Sequence, residues 1–131
     1  MQEKDRKRIF VVEDETHIAE GLKLNLTLHG YDVKVTDDGV RALSEWKDYN
    51  PHLIVLDLML PGIDGISVLQ NIRLENERIP ILVLSAKGSV EDKIKGLKHG
   101  VDDYIAKPFD LEEFLLRVDR LVTKSSWYDS D

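Results

Sequence analysis

Five short apolar segments alternate with five amphipathic segments along the chain, and this alternation constrains the fold more than any other feature of the sequence. The apolar segments are rich in β-branched residues, as buried strands are, whereas the amphipathic segments repeat their apolar residues at helical spacing. Because no two strands are joined by a hairpin-length link, the helices must connect parallel strands by crossovers. The sequence therefore predicts a doubly wound α/β domain, with five helices covering both faces of a five-stranded parallel sheet.

Local signals give the boundaries of these elements. The predicted strands are 8–14, 31–35, 52–57, 79–86 and 102–106. The predicted helices are 16–30, 40–49, 65–75, 89–99 and 110–124. Gly30 is expected to end the first helix, and Asp110 is expected to cap the last one. We expect residues 1–7 to form a lead-in, 8–124 the domain, and 125–131 a tail or the start of a linker.

Composition argues against several classes of function. The 131 residues, 42% of them hydrophobic, suffice for one core. The 25 acidic and 18 basic residues leave a net charge of −7, which argues against direct binding to nucleic acid or to an anionic membrane. The chain has no cysteine, and its N-terminal apolar run, 9–12, is too short for a signal peptide or a membrane span. We therefore expect a cytoplasmic protein that does not associate with a membrane.

Polar side chains stand at the carboxyl ends of four of the predicted strands. Glu13 and Asp14 end the first strand, and Asp57 ends the third. Ser85 stands at the end of the fourth, and Lys107 follows the fifth. In an open parallel sheet these ends meet at one edge, which is where ligands bind. Carboxylate oxygens without imidazole or thiolate suit a hard cation, so we expect Mg²⁺, or Mn²⁺, as the cofactor.

These residue types would support phosphoryl transfer to Asp57. A carboxylate is an established nucleophile in acyl-phosphate chemistry, and the cation and Lys107 would neutralise the oxygens of the transferred group. The Ser85 hydroxyl would donate a hydrogen bond to another of these oxygens. Taken singly, Asp14 is more simply explained as a helix cap, Ser85 as a turn residue and Lys107 as a surface charge. Their combination favours a functional site.

The chain contains, in this order, the segments VVEDE, LIVLDLMLPGIDG, ILVLSA and GVDDYIAKPF. Together they resemble the receiver domain of bacterial two-component response regulators, over residues 8–124. The resemblance implies a flavodoxin-like (CheY-like) fold with strand order 2-1-3-4-5, and a signalling domain rather than a turnover enzyme. It also implies that Asp57 accepts a phosphoryl group from a sensor histidine kinase. Asp14, Asp57 and the backbone carbonyl of Met59 would hold Mg²⁺, with Glu13 acting through a metal-bound water.

The resemblance further assigns Ser85 and Tyr104 as a switch pair, and it places a cis peptide bond between Lys107 and Pro108. The sequence departs from the commonest receiver pattern at two positions. Glu13 stands in place of the usual Asp, and the extra methylene is expected to alter how the metal-bound water is held. Ser85 stands in place of the commoner Thr, but it retains the hydroxyl that would follow the phosphoryl group.

The last two predicted helices resemble those of winged-helix (OmpR-type) transcription factors, whose receivers dimerise symmetrically on phosphorylation. The implied apolar centre of this homodimer is Ile94, Leu97 and Leu116. The implied ion pairs are Lys93 with Glu113, Asp103 with Arg117, and Asp102 with Lys124. Lys93 and Lys124 replace the usual Arg, so bidentate pairing would be lost. DNA would be contacted only by an effector domain outside this sequence.

Other functions remain open at this point. The chain could be a stand-alone receiver that signals by protein–protein contact, or a degenerate receiver that only dimerises. A flavin-binding protein of the same fold would need a phosphate-binding loop where the acidic segment 13–17 stands. A haloacid-dehalogenase-type phosphatase would need a second aspartate at position 59, which is Met. The set of Asp14, Asp57, Ser85 and Lys107 favours an active receiver.

Overall fold

The computed structural model of the chain describes residues 6–86 and 100–129, with the backbone alone for 125–129. The predicted helix 89–99 and the predicted interface residues Lys93, Ile94 and Leu97 lie outside the described residues. The strands are β1 (Arg8–Val12), β2 (Asp32–Thr36), β3 (Leu53–Asp57), β4 (Ile81–Ala86) and β5 (Asp103–Lys107). The described helices are α1 (Thr16–Leu28), α2 (Gly39–Tyr49), α3 (Gly65–Glu75) and α4 (Leu111–Asp129).

The five strands form one parallel sheet in the order β2-β1-β3-β4-β5. In the register, Val12 of β1 lies beside Leu56 of β3, and Ser85 of β4 lies beside Ala106 of β5. The predicted architecture and strand order are therefore confirmed. Because every strand runs in the same direction, the residues that follow Val12, Leu56 and Ala106 emerge at the same edge of the sheet.

Alternate strand residues enter two separate core layers. Ile9 packs in the same cluster as Leu26 of α1 and Phe114 of α4, whereas Phe10 packs in the cluster that contains Ile72 of α3. Every residue of β3 is buried, which is the pattern of a central parallel strand covered on both faces. The polar strand end at Asp57 is thus carried on the most rigidly enclosed part of the fold.

The helix boundaries show where the local signals are decisive. Gly30 has a φ of +100° directly after the C-cap of α1, so its predicted role as a stop is confirmed. Asp110 precedes α4, and its carboxylate accepts a hydrogen bond from the Glu112 amide at 2.8 Å, as a cap does. The predicted end of α4 at residue 124 is wrong, because the helix continues to Asp129. Residues 125–129 contain no Gly or Pro that would end it.

Gly65 allows the loop after β3 to approach the start of α3 closely. A Cβ at this position would lie 2.4 Å from Leu58 Cα and 2.6 Å from the carbonyl oxygen of Asp57, both of which are backbone atoms. Gly65→Ala should therefore lower the free energy of unfolding by at least about 2 kcal/mol, because the backbone cannot move aside without strain. Urea denaturation followed by circular dichroism would measure this loss.

Gly21 provides the matched control for that substitution. It lies inside α1, and a Cβ there would meet no atom within 4 Å. Gly21→Ala should raise the free energy of unfolding by about 0.5–1 kcal/mol, since alanine favours the helix. Equal effects of the two substitutions would contradict the packing argument for Gly65.

Candidate functional site

A single lysine bridges two buried carboxylates at the carboxyl edge of the sheet. Lys107 Nζ, from the end of β5, lies 2.8 Å from Glu13 Oε1 and 2.8 Å from Asp57 Oδ2. Glu13 is 0% exposed and Asp57 is 2% exposed, whereas the Lys107 side chain retains 18% exposure. The structure thus brings together side chains from the ends of three strands, as their sequence positions predict.

Backbone amides hold the remaining oxygens of the two carboxylates. Asp57 Oδ1 accepts a hydrogen bond from the Met59 amide at 2.9 Å, and Glu13 Oε2 accepts one from the Glu15 amide at 3.1 Å. Both amides belong to loops that leave the sheet immediately after a strand. Each carboxylate is therefore oriented by its own loop as well as by Lys107, which fixes its position before any ligand arrives.

Burial is the largest single influence on the pKa values of Glu13 and Lys107, but it sets the direction of the net shift only for Glu13. Burial and the neighbouring Asp57 carboxylate raise the pKa of Glu13 to about 7, although Lys107 opposes the shift. Burial alone would lower the pKa of Lys107, but hydrogen bonds to Asp57 and Glu13 outweigh it and raise that pKa above its usual value. The ammonium therefore stays charged, and it can balance only one of the two carboxylates. A cation is the ligand that would compensate the rest.

The donor set at this edge fits a small, hard cation. Glu13, Asp14 and Asp57 each place a carboxylate oxygen within 4.8 Å of the others. Asp14 is exposed, so its carboxylate is accessible from solvent. The N-cap of α1 is Glu15, and no side chain caps this described helix, so the alternative role of Asp14 as a helix cap is not supported. Clustered oxygen donors without nitrogen or sulfur are the ligands that Mg²⁺ prefers.

Ser85 and Tyr104, the predicted switch pair, lie on adjacent strands. Ser85 is 0% exposed, and its hydroxyl has no hydrogen-bond partner within the described residues. A buried polar group without a partner is costly, so this hydroxyl can gain from a nearby acceptor. Tyr104 of β5 is half-buried and packs against the core layer of α2 and α3. The peptide bond between Lys107 and Pro108 is cis.

Four of the described residues of the predicted dimer interface form ion pairs inside the chain. Arg117 Nη1 lies 2.7 Å from Asp103 Oδ1, and Arg117 Nη2 lies 3.1 Å from Glu113 Oε2. These two hydrogen bonds raise the pKa of Arg117. Asp102 Oδ2 lies 2.9 Å from Nη2 of Arg73, and the sequence patterns assign no role to Arg73. The position of Arg73 near the end of α3 is the only sequence signal that could have suggested this contact.

Leu116 and Lys124 complete the described part of this predicted interface. Leu116 is 63% exposed, and Lys124 is also exposed on α4. Together with the paired side chains of Asp102, Asp103, Glu113 and Arg117, they lie along β5, the turn before it and α4.

A family model described as the response regulator receiver domain matches residues 9–119. The chain belongs to this family. The receiver is similar to response regulator MprA of Mycobacterium sp. (strain KMS), with 42% identity over 119 residues that cover 91% of this chain and 52% of MprA. It is also 42% identical, over 120 residues, to the DNA-binding dual master transcriptional regulator RpaA of Synechocystis, covering 90% of this chain and 50% of RpaA. The receiver thus spans about half the length of these curated relatives.

Solved structures agree with this assignment. The receiver domain of Francisella response regulator 1452 is 39% identical, with a TM-score of 0.85, and the match covers 92% of this chain and 99% of that one. Receivers of response regulators are signalling domains of two-component systems rather than turnover enzymes, and they interact with histidine kinases. The family binds Mg²⁺ at an acidic pocket, and the described residues of this chain contain an acidic cluster of Glu13, Asp14 and Asp57. Within the described chain, no helix is long and apolar enough to cross a membrane.

Removing Lys107 should reveal how much the two carboxylates depend on it. Lys107→Met should lower the free energy of unfolding by about 3 kcal/mol, because two buried carboxylates lose their shared counter-charge. Adding Asp57→Asn should recover part of that loss, since one of the two like charges is then absent. Urea denaturation at neutral pH without metal would measure both values.

Asp57→Asn alone is the control, because it leaves the Lys107–Glu13 pair intact. We expect it to change the free energy of unfolding by less than about 1 kcal/mol, because the lost attraction to Lys107 is offset by removal of the repulsion from Glu13. If Lys107→Met lost the same stability with and without Asp57→Asn, the ammonium would not be coupled to the Asp57 carboxylate.

Proposed function

We propose that this receiver accepts a phosphoryl group on Asp57 from the phosphohistidine of a sensor histidine kinase. The observation that carries the proposal is the Asp57 carboxylate itself, nearly buried at a strand end and held by a backbone amide and an ammonium. One carboxylate oxygen attacks phosphorus, and the bond between phosphorus and the imidazole nitrogen breaks. The leaving nitrogen keeps the electron pair, so the histidine returns to its neutral form.

Lys107 and Ser85 are placed to stabilise the transferred group. The ammonium lies 2.8 Å from Asp57 Oδ2, so it would face an oxygen of a phosphoryl group attached to that carboxylate. The buried Ser85 hydroxyl, which lacks a partner among the described residues, would donate to another oxygen. Both groups are present before transfer, so little reorganisation is needed in the transition state.

Asp14, Asp57 and the Met59 backbone carbonyl would hold Mg²⁺ or Mn²⁺, and Glu13 would contact it through a bound water. Their clustered carboxylate oxygens support this ligand set. A bound divalent cation neutralises negative charge on the phosphoryl oxygens. Glu13 is 0% exposed and its Oε1 lies 2.8 Å from Lys107 Nζ, so it is held within the cluster where it would contact the metal-bound water.

Phosphorylation would then switch the surface formed by β5 and α4. An aspartyl phosphate adds about two negative charges beside Ser85. The hydroxyl would turn toward these charges, and the Tyr104 ring would move into the space that it leaves. The movement of Tyr104 would act on β5, the edge strand that also ends in Lys107.

The output that we propose is phosphorylation-dependent dimerisation of a DNA-binding transcriptional regulator of the winged-helix class. RpaA, one of the relatives, is named as DNA-binding, and the part of it that this receiver does not cover could hold an effector domain. Exposed Leu116 and the charged side chains around it support an interface on β5 and α4. A stand-alone receiver that binds a partner protein is the alternative. The complete set of Asp14, Asp57, Ser85 and Lys107 disfavours a degenerate module.

Chemical phosphorylation tests the proposed nucleophile directly. Incubation with Mg²⁺ and a small acyl phosphate should add about 80 Da to the intact mass, because one phosphoryl group is transferred to a carboxylate. Asp57→Asn should show no gain, since the amide is not a nucleophile. Mass spectrometry of the wild-type and variant proteins in parallel gives the result.

The control outcomes separate the alternatives. A gain that persists in Asp57→Asn would place the phosphoryl group elsewhere and contradict the proposal. No gain in a folded protein that also fails to bind Mg²⁺ would favour the degenerate module. No gain with normal Mg²⁺ binding calls for the same assay with a phosphorylated histidine-kinase domain as donor, and failure there would reject the phosphoacceptor function.

Metal binding gives an independent test of Asp14. Asp14→Asn should weaken Mg²⁺ binding at least about ten-fold, because a charged ligand is lost. The midpoint of urea denaturation should not change, since Asp14 is exposed. Isothermal titration calorimetry with Mg²⁺ would measure the affinity.

Asp48→Asn is the matched control for this measurement, because Asp48 is an exposed acidic residue near the end of α2, outside the three-carboxylate cluster and away from the edge of the sheet that holds it. It should leave the affinity within about two-fold, since a distant exposed charge is largely screened. Equal weakening by both substitutions would mean that Mg²⁺ responds to overall charge rather than to a ligand at Asp14.

A further inference from the structure

Five hydrogen bonds from Arg73 join the end of α3 to its surroundings, two of them to the loop before β4 and three to the turn before β5. Its guanidinium donates to the carbonyls of Ile79, Asn76 and Gly100, with the shortest contacts at 2.7 Å to Ile79 and Gly100. It also donates to Asp102 Oδ2 at 2.9 Å. The Arg73 side chain is 15% exposed, and its hydrogen bonds to Asn76 and Ile79 are partly buried, whereas those to Gly100 and Asp102 are exposed.

The Asp102 oxygen that Arg73 contacts also accepts a hydrogen bond from the sheet. Asp102 Oδ2 accepts a hydrogen bond from the amide of Ile81, the first residue of β4, at 2.8 Å. The Asp102 side chain is 33% exposed, so it still faces solvent in part. Its negative charge is nevertheless neutralised by a guanidinium from its own chain. Any cation that approaches from outside therefore meets a carboxylate that already has a charged partner.

The other two acidic side chains of the proposed interface, Asp103 and Glu113, are also paired within their own chain. Arg117 pairs with Asp103 and Glu113 within the chain, so both carboxylates share one guanidinium. Lys124, by contrast, forms no ion pair within the part of the chain that the structure describes. Three acids are thus paired before any second copy arrives, while the basic residue expected to meet Asp102 is not.

We propose that Arg73 competes with the partner's Lys124 for Asp102, so that self-association depends on apolar contact at Leu116 and not on this ion pair. The inference rests on the proposed function, because it concerns the proposed dimer face. Its physical basis is the low value of partly exposed ion pairs, which falls further when one partner is already neutralised. Leu116, with 63% exposure, offers the apolar area that such a dimer would bury.

Substitutions at Lys124 test the competition without disturbing the fold, since this side chain is exposed. The activated receiver would be prepared with beryllofluoride and Mg²⁺, and its dimer dissociation constant measured by analytical ultracentrifugation. In the wild-type background, Lys124→Ala and Lys124→Glu should each change that constant by less than about two-fold. Leu116→Ser should weaken the dimer at least about five-fold, because it removes the apolar contact.

The same Lys124 substitutions in an Arg73→Gln background decide the proposal. With Arg73 removed, Asp102 regains its charge for the partner, and a symmetric dimer contains this contact twice. Lys124→Glu should then weaken the dimer at least about five-fold relative to Arg73→Gln alone. Arg73→Lys, which keeps a charge but lacks the fork, should give a smaller effect in the same direction and replaces Arg73→Gln if that variant does not fold.

Two results would overturn the proposal. One is a five-fold or larger weakening by Lys124→Glu while Arg73 is present, which would mean that Asp102 is available to the partner. The other is no effect of Lys124→Glu in any background, including a complete absence of self-association. Intact mass after acyl-phosphate treatment is measured on beryllofluoride-free portions of the same variants, so failure of the dimer is distinguished from failure of phosphorylation at Asp57.

Discussion

The ammonium of Lys107 between the carboxylates of Glu13 and Asp57 is the interaction on which the site depends. It connects the ends of β1, β3 and β5, and it allows two acidic side chains to be almost wholly buried within hydrogen-bond reach of one cation. One positive charge cannot neutralise both carboxylates, and burial together with the neighbouring Asp57 carboxylate raises the pKa of Glu13. The fold therefore holds the two carboxylates in place while part of their negative charge remains uncompensated. This excess of negative charge favours binding of a divalent cation.

The sheet makes this arrangement possible because its polar groups all emerge at one edge. β3 is buried along its whole length and ends in Asp57, so the proposed nucleophile is carried by a strand that is enclosed on both faces. The loop that follows is held close by Gly65, whose lack of a side chain lets α3 begin against the backbone of Leu58. The Met59 amide then reaches back to Asp57. Core packing and the geometry of the carboxylate are thus parts of the same local structure.

The fold and the position of the candidate site follow from patterns that are local in sequence. Strand and helix periodicity predicts each described element. Because a parallel sheet places its strand ends at one edge, Glu13, Asp57 and Lys107 can be grouped from the sequence alone. The burial of Glu13 beside an exposed Asp14 could not be predicted in this way, because neighbouring residues at a strand end differ only in side-chain direction. Helix α4 also extends beyond its predicted end, because the residues there include no Gly or Pro that would end it.

Side-chain pairing between distant segments is the part that sequence patterns leave undetermined. Arg73 and Asp102 lie 29 positions apart, and their contact depends on how the loop before β4 and the turn before β5 meet. The family resemblance assigns Asp102, Asp103 and Glu113 to partners in a second molecule, but each of these carboxylates pairs with a guanidinium of its own chain.

The edge strand connects these two regions. β5 ends in Lys107 at the acidic site and begins at Asp103, which holds Arg117 on α4, and among the described strands it pairs only with β4. Only its central residue is fully buried, so β5 has less packing to resist a shift than β3 has. A change in the partners of Lys107 therefore acts on the one strand that reaches both the proposed phosphoryl group and the proposed dimer face. In this way a change at Asp57, at the end of the buried strand β3, would be transmitted through Lys107 to the less tightly packed edge strand β5.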